Sequence, residues 1–112
     1  MRAGEWRIVD FHCDALSKMQ EMPDIVFRND DRLDVTAERM TAGGIGLQCF
    51  AIYLSAKRGR PRFEDVLGQI EHFRQGILSQ GGLQWLRWKE EAVNIGKESL
   101  GWGMLSLEGV DG

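Results

Sequence analysis

An α/β fold built on a parallel sheet is predicted by three features of this sequence. Strand-like and helix-like segments alternate along the chain, and such alternation makes βαβ units rather than a bundle or a sandwich. Residues 45–53 (Ile-Gly-Leu-Gln-Cys-Phe-Ala-Ile-Tyr) form a nearly continuous apolar run, the pattern of a strand covered on both faces. Residues 62–80 repeat apolar side chains at three- and four-residue spacing, which makes a helix with one face to bury. At 112 residues and 43% hydrophobic side chains, the chain has the length of one domain and enough apolar material for a core. Residues 1–112 are therefore read as a single α/β unit.

The elements follow in order. Residues 8–11 (Ile-Val-Asp-Phe) read as the first strand, running into His12-Cys13-Asp14. Side chains alternate along a strand, so His12 and Asp14 point one way and Cys13 the other. Residues 15–22 suit a turn or two of helix that Pro23 closes. Residues 27–33 are polar and turn-rich and read as a loop. A short helix is expected over 34–40, with Asp34 as N-cap, Glu38 following and Gly43-Gly44 as the stop. The second strand is the apolar run itself.

In the long helix, Phe63, Val66, Leu67, Ile70, Phe73, Ile77 and Leu78 make the stripe. Pro61 suits its first turn, Glu64 and Asp65 favour its dipole, and Gly81-Gly82 ends it. His72 falls beside the stripe and reads as a surface histidine. Residues 83–88 suit a short aromatic third strand, residues 89–98 a helix weakened by Gly96, and residues 102–107 a fourth strand.

A net charge of −3 gives no long-range attraction for nucleic acid or an anionic membrane. The basic cluster at 57–62 reads as a solvated loop. No apolar run reaches the length of a membrane span, and no signal-peptide core precedes Asp10. Cys13 and Cys49 then fit reduced, buried thiols in a cytoplasmic protein. Trp6, Trp85, Trp88 and Trp102 read as packing or interface residues.

An imidazole and a carboxylate suit a divalent metal such as zinc, which requires three or four ligands. His12 and Asp14 therefore need partners. In parallel α/β architectures chemistry gathers at the C-terminal strand ends. Glu108 ends the fourth strand as His12 and Asp14 end the first. On spacing alone, Glu108 reads equally as a third ligand or as a strand-end carboxylate capping an amide.

Asp10-Phe11-His12-Cys13-Asp14, the stretch 36–53 (Thr-Ala-Glu-Arg-Met-Thr-Ala-Gly-Gly-Ile-Gly-Leu-Gln-Cys-Phe-Ala-Ile-Tyr) and Leu105-Ser106-Leu107-Glu108-Gly109 together resemble the N-terminal part of the renal-type membrane dipeptidases. These are zinc peptidases of the amidohydrolase superfamily. The likeness spans nearly the whole chain in the right order, and His-x-Asp on the first strand separates it from sister families that use His-x-His. The resemblance implies the N-terminal part, about four strands, of a metal-dependent (β/α)₈ barrel holding two zinc ions. His12 and Asp14 match the first-strand ligands, Glu108 matches the carboxylate bridging the metals, and the substrates are dipeptides.

A barrel of this type takes about 250 residues. The chain is therefore expected to be an N-terminal fragment, lacking later ligands and the catalytic acid/base and inactive by itself. Half a barrel leaves strand edges and apolar faces uncovered, so a homo-oligomer is expected. Two alternatives remain at this stage: another amidohydrolase, such as a deacylase or lactonase, and a self-associating non-catalytic α/β module that keeps the three residues by descent.

Overall fold

In a computed structural model, residues 8–54, 59, 62–94 and 101–107 are described. The expectations for Trp6, Pro61, Gly96 and Glu108, and for the basic cluster apart from Gly59 and Arg62, lie outside these residues. The described elements are β1 (Ile8–Asp10), α1 (Ala15–Glu21), α2 (Ala37–Gly43), β2 (Ile45–Ile52), α3 (Phe63–Glu71), a π-helical segment His72–Leu78, α4 (Ser79–Gly81), β3 (Gln84–Trp85), a 3₁₀ turn Lys89–Asn94 and β4 (Trp102–Leu107).

Four parallel strands make one sheet in the order β1-β2-β4-β3. β2 and β4 form its centre, paired without a break from Leu47 opposite Trp102 to Ile52 opposite Leu107. The apolar run at 45–53 is thus a central strand, and seven of its eight β2 residues are buried. β3 is shorter than the expected 83–88 strand. Only Gln84 and Trp85 pair with β4, opposite Trp102 and Gly103, and Lys89 already opens the 3₁₀ turn. There the Glu91 carboxylate accepts the backbone N–H groups of Arg87 (3.2 Å) and Trp88 (3.1 Å), which favours a tight turn over a full helix.

One face of the sheet carries the main core. Phe50 and Ile52 of β2 join Leu16, Met19, Ile25, Phe27, Leu33, Phe73 and Ile77 in one cluster. Aromatic rings run through it in sequence: Phe27 meets Phe50 edge-on at 5.6 Å, Phe50 meets Phe73 at 5.6 Å, and Phe73 meets Trp85 edge-on at 5.5 Å. Gly103 lies beneath this row. A Cβ there would come within 3.2 Å of Phe73 and 3.3 Å of Phe50, so the absence of a side chain lets the rings approach the sheet.

The loop after α1 is part of this core. Ile25, Phe27 and Leu33 are buried although their neighbours are polar, because the chain turns back to place them in the core cluster, with Phe27 against Phe50. Arg32 organises the turn by donating to Asp30 from Nε (2.9 Å) and Nη2 (2.7 Å) and to Asp24 from Nη1. Those side-chain bonds, with the backbone N–H groups of Arg32 and Val26, hold the Asp30 carboxyl well below the usual carboxylate range.

The expected N-cap at Asp34 is corrected to Thr36. Its hydroxyl accepts the Arg39 N–H at 3.1 Å, the bond that defines a cap. Asp34 instead lies 3.7 Å from the Lys18 ammonium. Gly44 closes α2 at φ 73°, where its N–H reaches the carbonyls of Met40 and Thr41; a left-handed residue there suits glycine.

The long helix also departs from its expected stripe. Phe73 and Ile77 are fully buried and Val66, Ile70 and Leu78 half-buried, whereas Phe63 and Leu67 are exposed. Gln69 takes an inward position and is fully buried. The turn widens to π geometry from His72, which changes the angular spacing of side chains and brings Phe73 and Ile77 onto the sheet.

Candidate metal centre

The site is built at the C-terminal end of β1. After Asp10 the chain remains extended next to β2, since the Ala51 N–H donates to the Cys13 carbonyl at 3.0 Å. Cys13 therefore occupies a ladder position, and its neighbours point to the opposite side. The Cys13 side chain enters the core cluster. His12 Nε2 and Asp14 Oδ1 meet at 3.2 Å on the solvent side, each side chain about half exposed.

Local bonds hold this geometry. The His12 N–H donates to the Asp10 carboxylate at 3.3 Å, a contact that strand alternation alone does not reveal. Asp14 is the N-cap residue of α1, yet its carboxylate makes no capping bond. Its main-chain carbonyl receives the Lys18 N–H and the Ser17 hydroxyl instead. The carboxylate is left facing His12.

Donor spacing supplies a test of fit. Two ligands of one tetrahedral zinc, each bonded at about 2.0 to 2.2 Å, stand about 3.3 Å apart. His12 Nε2 and Asp14 Oδ1 match that separation, and a nitrogen with a carboxylate oxygen is a donor set that zinc accepts. Among the described residues no group of three or more His, Cys, Asp or Glu side chains is gathered for a metal. Glu108 follows Leu107, the last residue of β4, and lies outside them.

His72 sits half-buried in the π-helical segment and belongs to no group of three or more metal-capable side chains among the described residues. A cleft of about 590 Å³ lined by residues including Arg28, Glu38, Thr41, Ser79 and Gln80 lies between α2 and the end of the long helix, and neither His12 nor Asp14 is among its described lining residues.

Residues 3–111 match the family model described as membrane dipeptidase (peptidase family M19). The chain belongs to this family. No curated protein matches it. Membership makes the chain part of a peptidase family, hence of the hydrolases, and the family is generally metal-dependent. No described helix of this M19 chain is long and apolar enough to cross a membrane.

The two cysteines are free and buried, so neither is presented as a nucleophile or a ligand. Burial pushes the Cys13 thiol up to about 12, and the thiolate is the reactive form. Both thiols are expected to stay unlabelled by an aromatic disulfide reagent at neutral pH until guanidinium unfolds the protein. Prompt release of two equivalents from the native chain would contradict this arrangement.

Two contributors near the site escaped sequence reasoning. Asp10 reads as an ordinary strand polar residue, but it anchors the His12 backbone. Gln69 carries no role in the sequence reading of the helix, although its position three residues after Val66 and four before Phe73 was the available signal for an inward side chain.

Proposed function

We propose that this M19 chain is the N-terminal part of a zinc-dependent dipeptidase, in which His12 and Asp14 are metal ligands and Glu108 is the carboxylate bridging two zinc ions. The observation carrying this reading is the 3.2 Å convergence of His12 and Asp14 at the C-terminal end of a parallel strand, the edge where such folds place their chemistry. Setting aside the two-residue β3, the remaining strands neighbour one another in chain order, β1-β2-β4. That parallel pairing of β1, β2 and β4 is what supports the (β/α)₈ barrel reading, while β3 meets the outer edge of β4 at Trp102 and Gly103 only.

Zinc held by these residues would supply polarisation of a peptide carbonyl and a bound water whose pKa is brought down to near neutral. The chain's own residues hold and orient. His12 offers Nε2, Asp14 offers an anionic oxygen, and the Asp10 bond to the His12 backbone fixes the strand end beneath them. Three candidate donors fall short of the ligand number that two zinc ions require, so the 112 residues alone are proposed to be inactive. Free, buried thiols favour a reducing, cytoplasmic setting.

The complete protein is expected to hydrolyse dipeptides, to lose that activity on chelation and to regain it with zinc. Hydrolysis indifferent to chelator would reject the metal reading, and turnover of N-acyl amino acids or lactones without dipeptides would reassign the substrate.

Self-association of the 112-residue chain follows from its edges. β1 and β3 border the sheet, and Ile8, Val9 and Phe11 are exposed at the β1 side, a combination that favours pairing with another copy. Light scattering during size-exclusion chromatography should give a mass at least twice 12.7 kDa. A single monomeric species would overturn this.

A further inference from the structure

Gln69 is fully buried on the inner side of α3, where an amide is tolerated only if its hydrogen bonds are made. They are made to the residue just beyond β2. The Tyr53 N–H donates to Gln69 Oε1 at 3.1 Å, and Gln69 Nε2 donates to the Tyr53 carbonyl at 2.7 Å. One side-chain amide thus provides the donor and the acceptor that a neighbouring strand would offer. It does so where the pairing of β2 with β4, which ends at Ile52 opposite Leu107, has run out.

A second amide extends the grip. Gln69 Nε2 also donates to Gln20 Oε1 at 3.0 Å, and Gln20 Nε2 donates to the Asp65 carbonyl at 2.9 Å. Gln20 belongs to α1, which begins at Ala15 directly after Asp14. The clamped end of β2 is two residues from Ala51, whose N–H holds the Cys13 carbonyl between His12 and Asp14. Both the strand end beside the pair and the helix that follows it are therefore tied to Gln69.

We infer that Gln69, assisted by Gln20, is a positioning residue for His12 and Asp14, acting through Tyr53 and Ala51 on one side and through α1 on the other. The functional weight of this role rests on the metal-ligand reading of His12 and Asp14, but the positioning itself is a property of the metal-free chain. A generic packing residue would affect the fold as a whole. A positioning residue affects one end of the sheet.

The test is native-state hydrogen exchange together with the His12 imidazole signals by NMR, read without metal on the wild-type chain, Gln69→Leu and Gln69→Glu. In Gln69→Leu, exchange at Tyr53 and Ala51 should rise about tenfold, as expected for loss of a hydrogen bond. The His12 signals should shift, while the Ile8 amide, bonded to Gly44 at the opposite end of the sheet, keeps its wild-type rate.

Gln69→Glu keeps an acceptor for the Tyr53 N–H. At a pH high enough to ionise its buried carboxyl, however, it cannot donate to the Tyr53 carbonyl or to Gln20, so the Ala51 and His12 signals should move as in Gln69→Leu. Against wild type at the same acid pH, where the neutral acid offers one donor and one acceptor, it should recover. Should Gln69→Leu not fold, this recovery carries the test. Unchanged His12 and Ala51 signals, an equal rise at Ile8, or no recovery at acid pH would each overturn the inference. Absence of zinc from the purified complete protein would reject the metal reading instead and leave the positioning result standing.

Discussion

Asp14→Ala in the complete protein is expected to lower zinc content and reduce dipeptide hydrolysis about a thousandfold or more, while thermal stability barely moves. The rate estimate follows from the several kcal/mol that metal polarisation contributes to a transition state, at about 1.4 kcal/mol for each factor of ten. The stability estimate follows from the structure. The Asp14 carboxylate caps nothing, and the bonds that Asp14 accepts from Lys18 and Ser17 use its main-chain carbonyl, which alanine retains. Its side chain is about half exposed, and substitutions at such positions cost at most about 0.5 kcal/mol.

His12→Ala should behave in the same way, since the bond from its backbone to Asp10 survives the substitution. Glu108→Ala is expected to match both in zinc content and turnover. Elemental analysis, turnover and melting temperature measured on the same preparations separate the outcomes. Undiminished zinc with unchanged turnover would remove these residues from the site, and a large drop in melting temperature would assign them to the fold instead.

How much of this was legible follows from how local each cause is. β2 was readable because burial on both faces leaves a nearly continuous apolar run, and β4 because it is a mostly apolar segment even though it is only partly buried; the ends of both fall close to the expected residues. The opposed directions of Cys13 and its neighbours were readable because strand alternation is a backbone property that holds through His12-Cys13-Asp14. Thr36 was missed since Asp34 is as good a capping residue by type; only the path of the chain decides which oxygen reaches Arg39. Ile25, Phe27 and Leu33 were hidden among charges, whose pairing around Arg32 shapes a loop that no periodicity describes. The edge position of β3, outside β4 and away from β2, depends on long-range pairing that a list of consecutive elements does not contain.

Phe50→Ala is expected to be the most destabilising single change in the described core, lowering stability by about 3 to 5 kcal/mol. Against a total of about 5 to 15 kcal/mol for a domain, that loss leaves a large unfolded fraction or none folded. The reason is where the ring stands. Phe50 is fully buried on a central strand, and it is the member of the aromatic row that touches both the folded-back loop through Phe27 and the long helix through Phe73. Its removal forfeits two ring pairs, each worth about 0.5 to 1.5 kcal/mol beyond area, and opens a void above Gly103, where no neighbouring side chain rises from the sheet. Phe63→Ala, on a residue of the same sequence stripe that is exposed in the fold, should change stability by no more than about 0.5 kcal/mol. Urea denaturation distinguishes the two: the Phe50→Ala midpoint should fall with its slope preserved, and comparable midpoints for both variants would show that the aromatic row does not unite loop, sheet and helix as the distances indicate.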